Sequence, residues 1–286
     1  MKKLLLLLLI LALSCSPFCG CQSDPKETAS AQPPLEPVST LRVICFAAGK
    51  ADAFLFWNDA GAVLIDTGES GFGKTITEKL SELGVRELHT MIVTHFDKDH
   101  VGGAKKVLET LPVGQVLQSN CPKTGAKPYE KYLAALSEAG ITPVTVRREM
   151  VVSLGDVRFT VNPPAKDRYA DDPSNNSSLI VTVEHGANRM LFTGDAEEAR
   201  LREFLAGEPG TCELVKLPHH GAWDDALALL LQKTEAGKAI VTCSNEEPED
   251  ERTAALLARE GVEVWLTRIA PIEIVSNGKS LALRYE

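Results

Sequence analysis

The sequence predicts an α/β protein in which two β-sheets pack together and helices cover the outside. Short apolar runs bounded by Gly, Asp and Asn are typical of strands, and the amphipathic stretches that follow them are typical of helices. Groups of strands followed by helices occur twice along the 286 residues, which favours two layered sheets. With 44% hydrophobic and 24% charged residues, the composition is that of a globular protein.

The first group of predicted elements begins near Leu41 as a meander of three strands. Gly84 is expected to end the first helix and Pro112 the second. Strands are predicted at residues 41–46, 53–57, 62–65, 87–93 and 114–117, and helices at residues 72–83, 101–111 and 129–139.

The second group contains a hairpin around Gly186-Ala187-Asn188 and a tight turn at Asn277-Gly278. Residues 196–205 predict a helix. The remaining elements of this group are expected at residues 144–146, 157–161, 179–184, 190–193, 214–217, 224–231, 239–242, 248–259, 262–266, 272–275 and 281–284.

The chain opens with Met1-Lys2-Lys3 and an apolar run that is shorter than the ~20 residues a membrane-spanning helix needs. This pattern predicts a signal peptide over residues 1–20 and an exported protein, either in the cell envelope or secreted. Cys21 ends a segment that resembles a bacterial lipoprotein cleavage box, with ordinary cleavage and secretion as the alternative. Residues 21–40 predict a flexible linker, and residues 41–286 the folded domain.

The net charge of −9 at pH 7 argues against a general affinity for nucleic acid. Loss of residues 1–20 would remove two lysines and leave about −11, and such a surface repels duplex DNA unless its charges are segregated. A membrane partner is therefore expected only through the lipid anchor. The cysteines of the folded part lack the CxxC spacing of a zinc site and are interpreted as small buried residues: Cys45, Cys121, Cys212 and Cys243.

The segment His95-Phe96-Asp97-Lys98-Asp99-His100 places four metal-capable side chains within six residues. It follows an apolar run, so these side chains are expected at the carboxyl end of a buried strand. Imidazole and carboxylate groups are ligands for divalent cations. His95 and Asp97 point the same way in an extended segment, whereas Asp99 and His100 face different directions. The pattern indicates half of a two-metal site.

Two later segments also follow apolar runs. Asp195 comes after residues 190–192, and Pro218-His219-His220-Gly221 comes after residues 214–217. Asp195 taken alone would equally suit the N-cap of the next helix. With the earlier pair, however, four of the six histidines in the chain fall at the ends of predicted strands.

Together these motifs resemble the metallo-β-lactamase superfamily, in the order that family uses. The sequence is similar to the hydrolase domain of the competence DNA-uptake protein ComEC, which shares Asp at the position of Asp97. The resemblance covers residues 41–286 and implies an αββα sandwich of two packed mixed β-sheets with outer helices and the site at one sheet edge. It is carried by Leu64-Ile65-Asp66-Thr67-Gly68, residues 95–103, Asn175-Asn176-Ser177-Ser178-Leu179, Thr193-Gly194-Asp195 and Pro218-His219-His220-Gly221.

The resemblance implies two divalent metal ions, Zn²⁺ or Mn²⁺, which activate water and polarise the scissile bond. Asp66 would orient the ligand loop by hydrogen bonds. His219 would face the substrate, although which histidine of the His219-His220 pair binds metal stays open. The implied ligands are His95 and Asp97 for one ion and Asp99, His100 and His220 for the other, bridged by Asp195. Asp66, Asp99 and His219 are the implied catalytic residues, and Asn176 and Ser178 the implied substrate-binding residues.

The sequence departs from the family at the first of these metal positions. Most relatives carry His where Asp97 stands, and a further His where this chain offers only the segment 175–178. Because this metal position offers more oxygen donors, Mn²⁺ is an alternative to Zn²⁺. In a second interpretation, this position binds metal weakly or stays empty. Asp52 lies in a partial match to another family motif and is a minor candidate for the site.

A competing motif lies at Gly68-Glu69-Ser70-Gly71-Phe72-Gly73-Lys74-Thr75, which has the spacing of a phosphate-binding loop. It would make the chain a nucleotide-binding protein. The preceding strands form a meander rather than the first unit of a parallel sheet, and Glu69 would bring negative charge to a phosphate. Lys74 is therefore interpreted as part of the solvated first turn of a helix.

Basic residues concentrate after the metal motif and could receive an anionic substrate if they line a groove. The sequence predicts an exported metal-dependent hydrolase that uses a metal-bound hydroxide on a phosphoester, a phosphodiester or a related ester. The alternative is a non-catalytic metal- or ligand-binding module with the same fold. The basic residues are Lys105, Lys106, Lys123, Lys127, Lys131, Arg147 and Arg148.

Overall fold

The computed structural model of the protein describes residues 39–286. The predicted signal peptide, the candidate lipid-attachment residue Cys21 and nearly all of the predicted linker lie outside these residues. Fifteen strands occur in the described part of the chain: β1 (Leu41–Cys45), β2 (Phe54–Asn58), β3 (Gly61–Ile65), β4 (Leu88–Val93), β5 (Val113–Gln118), β6 (Val144–Thr145), β7 (Met150–Leu154), β8 (Val157–Asn162), β9 (Ile180–His185), β10 (Asn188–Phe192), β11 (Leu214–Lys216), β12 (Lys238–Val241), β13 (Glu263–Leu266), β14 (Ile272–Ser276) and β15 (Leu281–Tyr285).

Seven α-helices connect these strands within the same residues. None of them is both long and apolar enough to cross a membrane. They are α1 (Phe72–Glu82), α2 (Lys98–Val101), α3 (Ala104–Thr110), α4 (Lys127–Glu138), α5 (Glu198–Ala206), α6 (Leu227–Thr234) and α7 (Glu251–Arg259).

The strands form two mixed sheets, as predicted. The first sheet has the order β15-β14-β1-β2-β3-β4-β5-β6, and the second has the order β13-β12-β11-β10-β9-β8-β7. Strands β3 to β6 are parallel, and so are β10 to β13. The other pairings are antiparallel. Each sheet therefore has a parallel half, which brings the carboxyl ends of several strands to one edge.

Three apolar clusters hold four layers together. Side chains of both sheets fill the central cluster, in which the rings of Phe56 and Phe192 lie 5.1 Å apart. A second cluster packs α1, α3 and α4 on the outer face of the first sheet. A third packs α5, α6 and α7 on the second sheet. The predicted αββα sandwich is thereby confirmed, because each sheet is buried on both faces.

Two elements differ from the sequence prediction. Strand β7 was not expected, because it is an edge strand whose Val151 is exposed and so breaks the apolar alternation. The helix predicted at residues 101–111 starts earlier and is split at Gly102-Gly103 into α2 and α3. The cysteines of the described residues are free thiols, of which Cys121 is partly exposed and the other three are buried.

Candidate metal centre

The candidate site lies where the carboxyl ends of strands from both sheets meet. Strand β4 of the first sheet leads into the segment 94–100, and β3 leads into Asp66. Strand β10 of the second sheet leads into Asp195, and β11 leads into the His219-His220 pair. The four motifs, far apart in sequence, thus supply side chains to one place.

Asp195 is the centre of this cluster. Its Oδ2 atom lies 3.0 Å from His100 Nε2, 3.2 Å from His220 Nε2 and 4.0 Å from His95 Nε2. Asp99 Oδ2 is 3.4 Å from His220 Nε2. One carboxylate oxygen therefore faces three imidazoles, which is the arrangement that a bridging ligand requires.

The donors fall into two groups that share Asp195. His95, Asp97 and Asp195 form a group that we call the first metal position. In this group His95 Nε2 lies 3.8 Å from Asp97 Oδ1. The second metal position consists of Asp99, His100, Asp195 and His220, whose donor atoms all lie within 4.8 Å of one another. The sequence-predicted ligands are thus brought together, with one more donor at the second position than at the first.

Three ring nitrogens in the cluster are buried without a hydrogen bond of good geometry among the described residues. They are the Nε2 atoms of His95, His100 and His220. Burying a polar atom without a partner is unfavourable, and divalent cations at the two positions would satisfy all three. A set of imidazole and carboxylate donors fits either Zn²⁺ or Mn²⁺.

Burial and neighbouring charges shift the pKa values of the three histidines in different directions. Burial lowers the pKa of His95 to about 3, which keeps its imidazole neutral and able to bind metal. Burial alone would lower the pKa of His100, but Asp195 and Asp66 outweigh it and hold that pKa well above the usual range. Likewise, Asp195 outweighs burial and raises the pKa of His220. Metal binding at the second position must therefore displace protons.

Raising the pH from about 6 to about 9 is expected to destabilise the metal-free protein. The folded-state pKa values of His100 and His220 are raised above the unfolded value of about 6.5, so their stabilisation is complete below that pH and is lost as the pH rises through the folded values. In metal-loaded protein both imidazoles would be neutral ligands. Melting temperatures measured after chelation and with Zn²⁺ should diverge with pH; parallel curves would contradict the assignment.

Asp66 lies behind the ligand loop. Its Oδ1 accepts a hydrogen bond from Thr94 N at 2.8 Å, and its Oδ2 accepts one from Thr94 Oγ1 at 2.6 Å. The same Oδ2 is 2.8 Å from His100 Nδ1. These contacts turn His100 Nε2 toward Asp195, which is the orienting geometry that the resemblance implies.

His219 and His220 lie within a left-handed turn that points their side chains in different directions. His219, His220 and Gly221 have φ values of 45°, 56° and 78°, and such strain in non-glycine residues tends to mark functional sites. His220 points inward, with Nδ1 2.9 Å from Thr242 Oγ1. His219 points outward with 31% of its side chain exposed, and its Nδ1 is 2.9 Å from Glu197 Oε1. The geometry favours His220 as the ligand.

The two predicted substrate-binding residues have other partners. Asn176 donates to the Asp171 carbonyl at 3.0 Å, and its Oδ1 accepts from Arg200 N at 3.0 Å. Ser178 is fully buried, and its Oγ accepts from Asp195 N at 3.1 Å and lies 3.3 Å from His95 Nδ1. These contacts hold Asn176 within its loop and place Ser178 beside two candidate metal donors, and the substrate-binding role of both residues stays a prediction.

Sequence reasoning missed Lys216 and treated Asp52 as a minor candidate. Both side chains are fully buried, and the Lys216 ammonium pairs with the Asp52 carboxylate, donates to the Gly194 carbonyl at 2.9 Å and lies 3.5 Å from Asp195 Oδ1. Burial alone would lower the pKa of Lys216, but Asp52 and Asp195 outweigh it, so the pKa is raised. The sequence did contain a signal for Lys216, because this lysine lies within the apolar run at residues 214–217.

The rival phosphate-loop interpretation finds no support in the geometry. A Cβ on Gly103 would lie 2.2 Å from the Thr67 carbonyl oxygen, and one on Gly102 would lie 2.4 Å from Ser70 N. The metal loop therefore packs directly on this segment, which only glycine permits. Lys74 is largely exposed and lies 3.6 Å from Glu78.

Fold and site together define a class: an αββα protein with a cluster of imidazoles and carboxylates at the edge where its two sheets meet. The chain belongs to the metallo-β-lactamase superfamily, whose family model matches residues 47–243. Members of this superfamily usually bind divalent metals.

Curated relatives agree with the ComEC-like resemblance. ComE operon protein 3 of Bacillus subtilis is 29% identical over 236 residues, which cover 72% of this chain and 29% of that protein. Competence protein ComA of Neisseria gonorrhoeae is 26% identical over 217 residues, which cover 74% of this chain and 28% of that protein. The chain thus spans less than a third of the length of these relatives.

Among solved structures, the metallo-β-lactamase fold protein YhfI of Bacillus subtilis aligns with a TM-score of 0.53. The alignment covers 80% of this chain and 96% of that chain at 12% sequence identity. At this identity the similarity establishes the fold alone.

Proposed function

We propose that the protein is a metal-dependent hydrolase that cleaves a phosphoester or phosphodiester bond. The observation that carries this proposal is the convergence on Asp195 of three buried imidazole nitrogens that lack a hydrogen bond of good geometry among the described residues, beside the partly exposed His219. When bound, the divalent ions would lower the pKa of a coordinated water and polarise the scissile bond. No protein nucleophile is then needed.

The protein's own residues would hold and position the reacting groups. His95, Asp97, Asp99, His100, Asp195 and His220 would bind the ions. Asp66 and Ser178 would keep the imidazoles of His100 and His95 aimed at the ions through the contacts described above. Asp99 lies on the open side of the cluster, with 20% of its side chain exposed, where it can meet substrate.

His219 would supply the proton for the leaving group. Glu197 Oε1 holds its Nδ1 and also accepts from Asn175 Nδ2 at 3.0 Å. Burial alone would raise the pKa of Glu197, but the hydrogen bonds from His219 and Asn175 outweigh it and keep the carboxylate ionised. His219 Nε2 lies 3.5 Å from Asn175 Nδ2, and from this atom the protonated imidazole can transfer a proton.

Replacing His219 by glutamine is expected to lower kcat by about a hundredfold or more for substrates with poor leaving groups. Esters of acidic phenols should lose much less, because their leaving groups need no proton. Bound metal should stay at the wild-type level. The measurement is kcat against leaving-group pKa, with metal analysis of the same samples. An equal loss for all leaving groups, or a loss of metal, would assign His219 another role.

The proposed substrate class is based on the basic residues near the site and on the relatives of the chain. Of the predicted basic residues, Lys123 reaches a candidate ligand, since its Nζ is 2.6 Å from Asp97 Oδ1. Lys105 and Arg147 instead pair with Glu109 and Asp167. Similarity to competence protein ComA is the reason to include DNA among the candidate substrates.

A substrate screen tests the proposal. Phosphodiesters, phosphomonoesters, lactones, β-lactams and single-stranded DNA would be offered to chelated protein reloaded with Zn²⁺ or Mn²⁺. Metal-dependent cleavage of a phosphorus ester supports it. Metal analysis separates the hydrolase from a non-catalytic module: protein that takes up neither ion cannot be the proposed enzyme.

A further inference from the structure

The first metal position contains a cation supplied by the protein itself. The Lys123 ammonium lies 2.6 Å from Asp97 Oδ1, and the Ser174 hydroxyl donates to the same oxygen. The carboxylate is thus already neutralised by a positive charge.

This contact uses the atom that a metal ion would need. Asp97 Oδ1 is the oxygen that faces His95 Nε2 at 3.8 Å, and His95 Nε2 is buried without a hydrogen-bond partner among the described residues. A cation bound between these two atoms must share Oδ1 with the ammonium or displace it. Among residues 39–286, no lysine pairs with Asp99 at the second metal position. The Lys216 ammonium there lies 3.5 Å from Asp195 Oδ1, the oxygen turned away from the imidazoles.

Lys123 has room to move. Its side chain is 40% exposed and lines a cavity of about 380 Å³ together with Cys121, Asp167, Arg168 and Ser174. Its flexible four-carbon stem can place the ammonium either on Asp97 or in this cavity. Displacement therefore requires no change in the backbone.

We propose that Lys123 is a built-in competitor for the first metal position. The protein binds one divalent ion tightly at the second position and a second ion only by displacing the Lys123 ammonium from Asp97. At limiting metal the centre holds one ion and one ammonium. This inference rests on the proposed metal centre and adds to it an order of filling.

Calorimetric titration of chelated protein with Zn²⁺ tests the proposal. Wild type should take up one tight equivalent and a second, weaker one. Lys123→Met should strengthen the second equivalent by roughly ten- to a hundredfold, because a cation no longer opposes the ion at short range. Lys123→Gln should act in the same direction. The first equivalent should be unchanged in both variants.

Two further variants define the outcomes. Lys127→Met, at an exposed lysine four residues on, should bind like wild type. Asp97→Asn should abolish the second equivalent and keep the first. Equal affinities for both equivalents in wild type, or a second equivalent indifferent to Lys123→Met, would overturn this inference while leaving the proposed function intact. Absence of any Zn²⁺ uptake would overturn both.

Discussion

Asp195→Ala is expected to lose bound metal at both positions and to lower the hydrolytic rate by about a thousandfold or more. The reason is geometric: Asp195 Oδ2 faces His95, His100 and His220 together. Its removal takes a donor from each metal position at once. Metal content after dialysis and kcat/KM on the best substrate of the screen are the measurements.

Glu198→Ala is the matched control for this variant. Glu198 lies three residues further on, at the start of α5, and pairs on the surface with Arg202 at 2.7 Å. Loss of an exposed pair should cost less than about 1 kcal/mol and leave metal content unchanged. Full activity with retained metal in Asp195→Ala would rule out the two-metal mechanism.

Lys216→Met is expected to reduce the free energy of unfolding by about 3–5 kcal/mol. The variant leaves the Asp52 carboxylate fully buried without its cation, while Thr242 Oγ1 still donates to it at 2.6 Å. It also removes a cation that lies 3.5 Å from Asp195 Oδ1, so metal affinity should rise. Denaturant titration of chelated protein gives the stability, and Zn²⁺ titration gives the affinity.

The double variant Asp52→Asn/Lys216→Met separates charge from packing. Removing both buried charges should recover a large part of the lost stability, because no uncompensated ion remains. Lys238→Met serves as control, since its ammonium pairs with Glu263 at 2.9 Å and its side chain is partly exposed. A double variant as unstable as Lys216→Met would show that the loss comes from packing.

The fold was predictable from sequence because most of its strands are buried on both faces and appear as short apolar runs. Strand β7 was not predicted because its residues alternate between the core and solvent, while Val151 on the exposed side is apolar. The order of strands in each sheet depends on pairings between distant segments, such as β1 with β14. Local periodicity carries no information on such pairings.

The chemical character of the site was predictable, but several side-chain directions were not. His95, Asp195 and His220 were expected to converge from their places after strands, and they do. The directions of Asn176 and Ser178 depend on bonds to Arg200 and Asp195 that no local pattern encodes. The outward turn of His219 depends likewise on two consecutive left-handed residues.

The second metal position takes Asp99 and His100 from α2, which follows β4, and Asp195 and His220 from the segments after β10 and β11. An ion there would act as a cross-link between the two halves of the sandwich. A nascent chain that ends before β11 lacks His220, so the complete set of donors exists only once both halves have docked. Stable binding of the ion would then indicate that folding is complete. The rate at which the ion dissociates would determine how long the native state resists proteolysis.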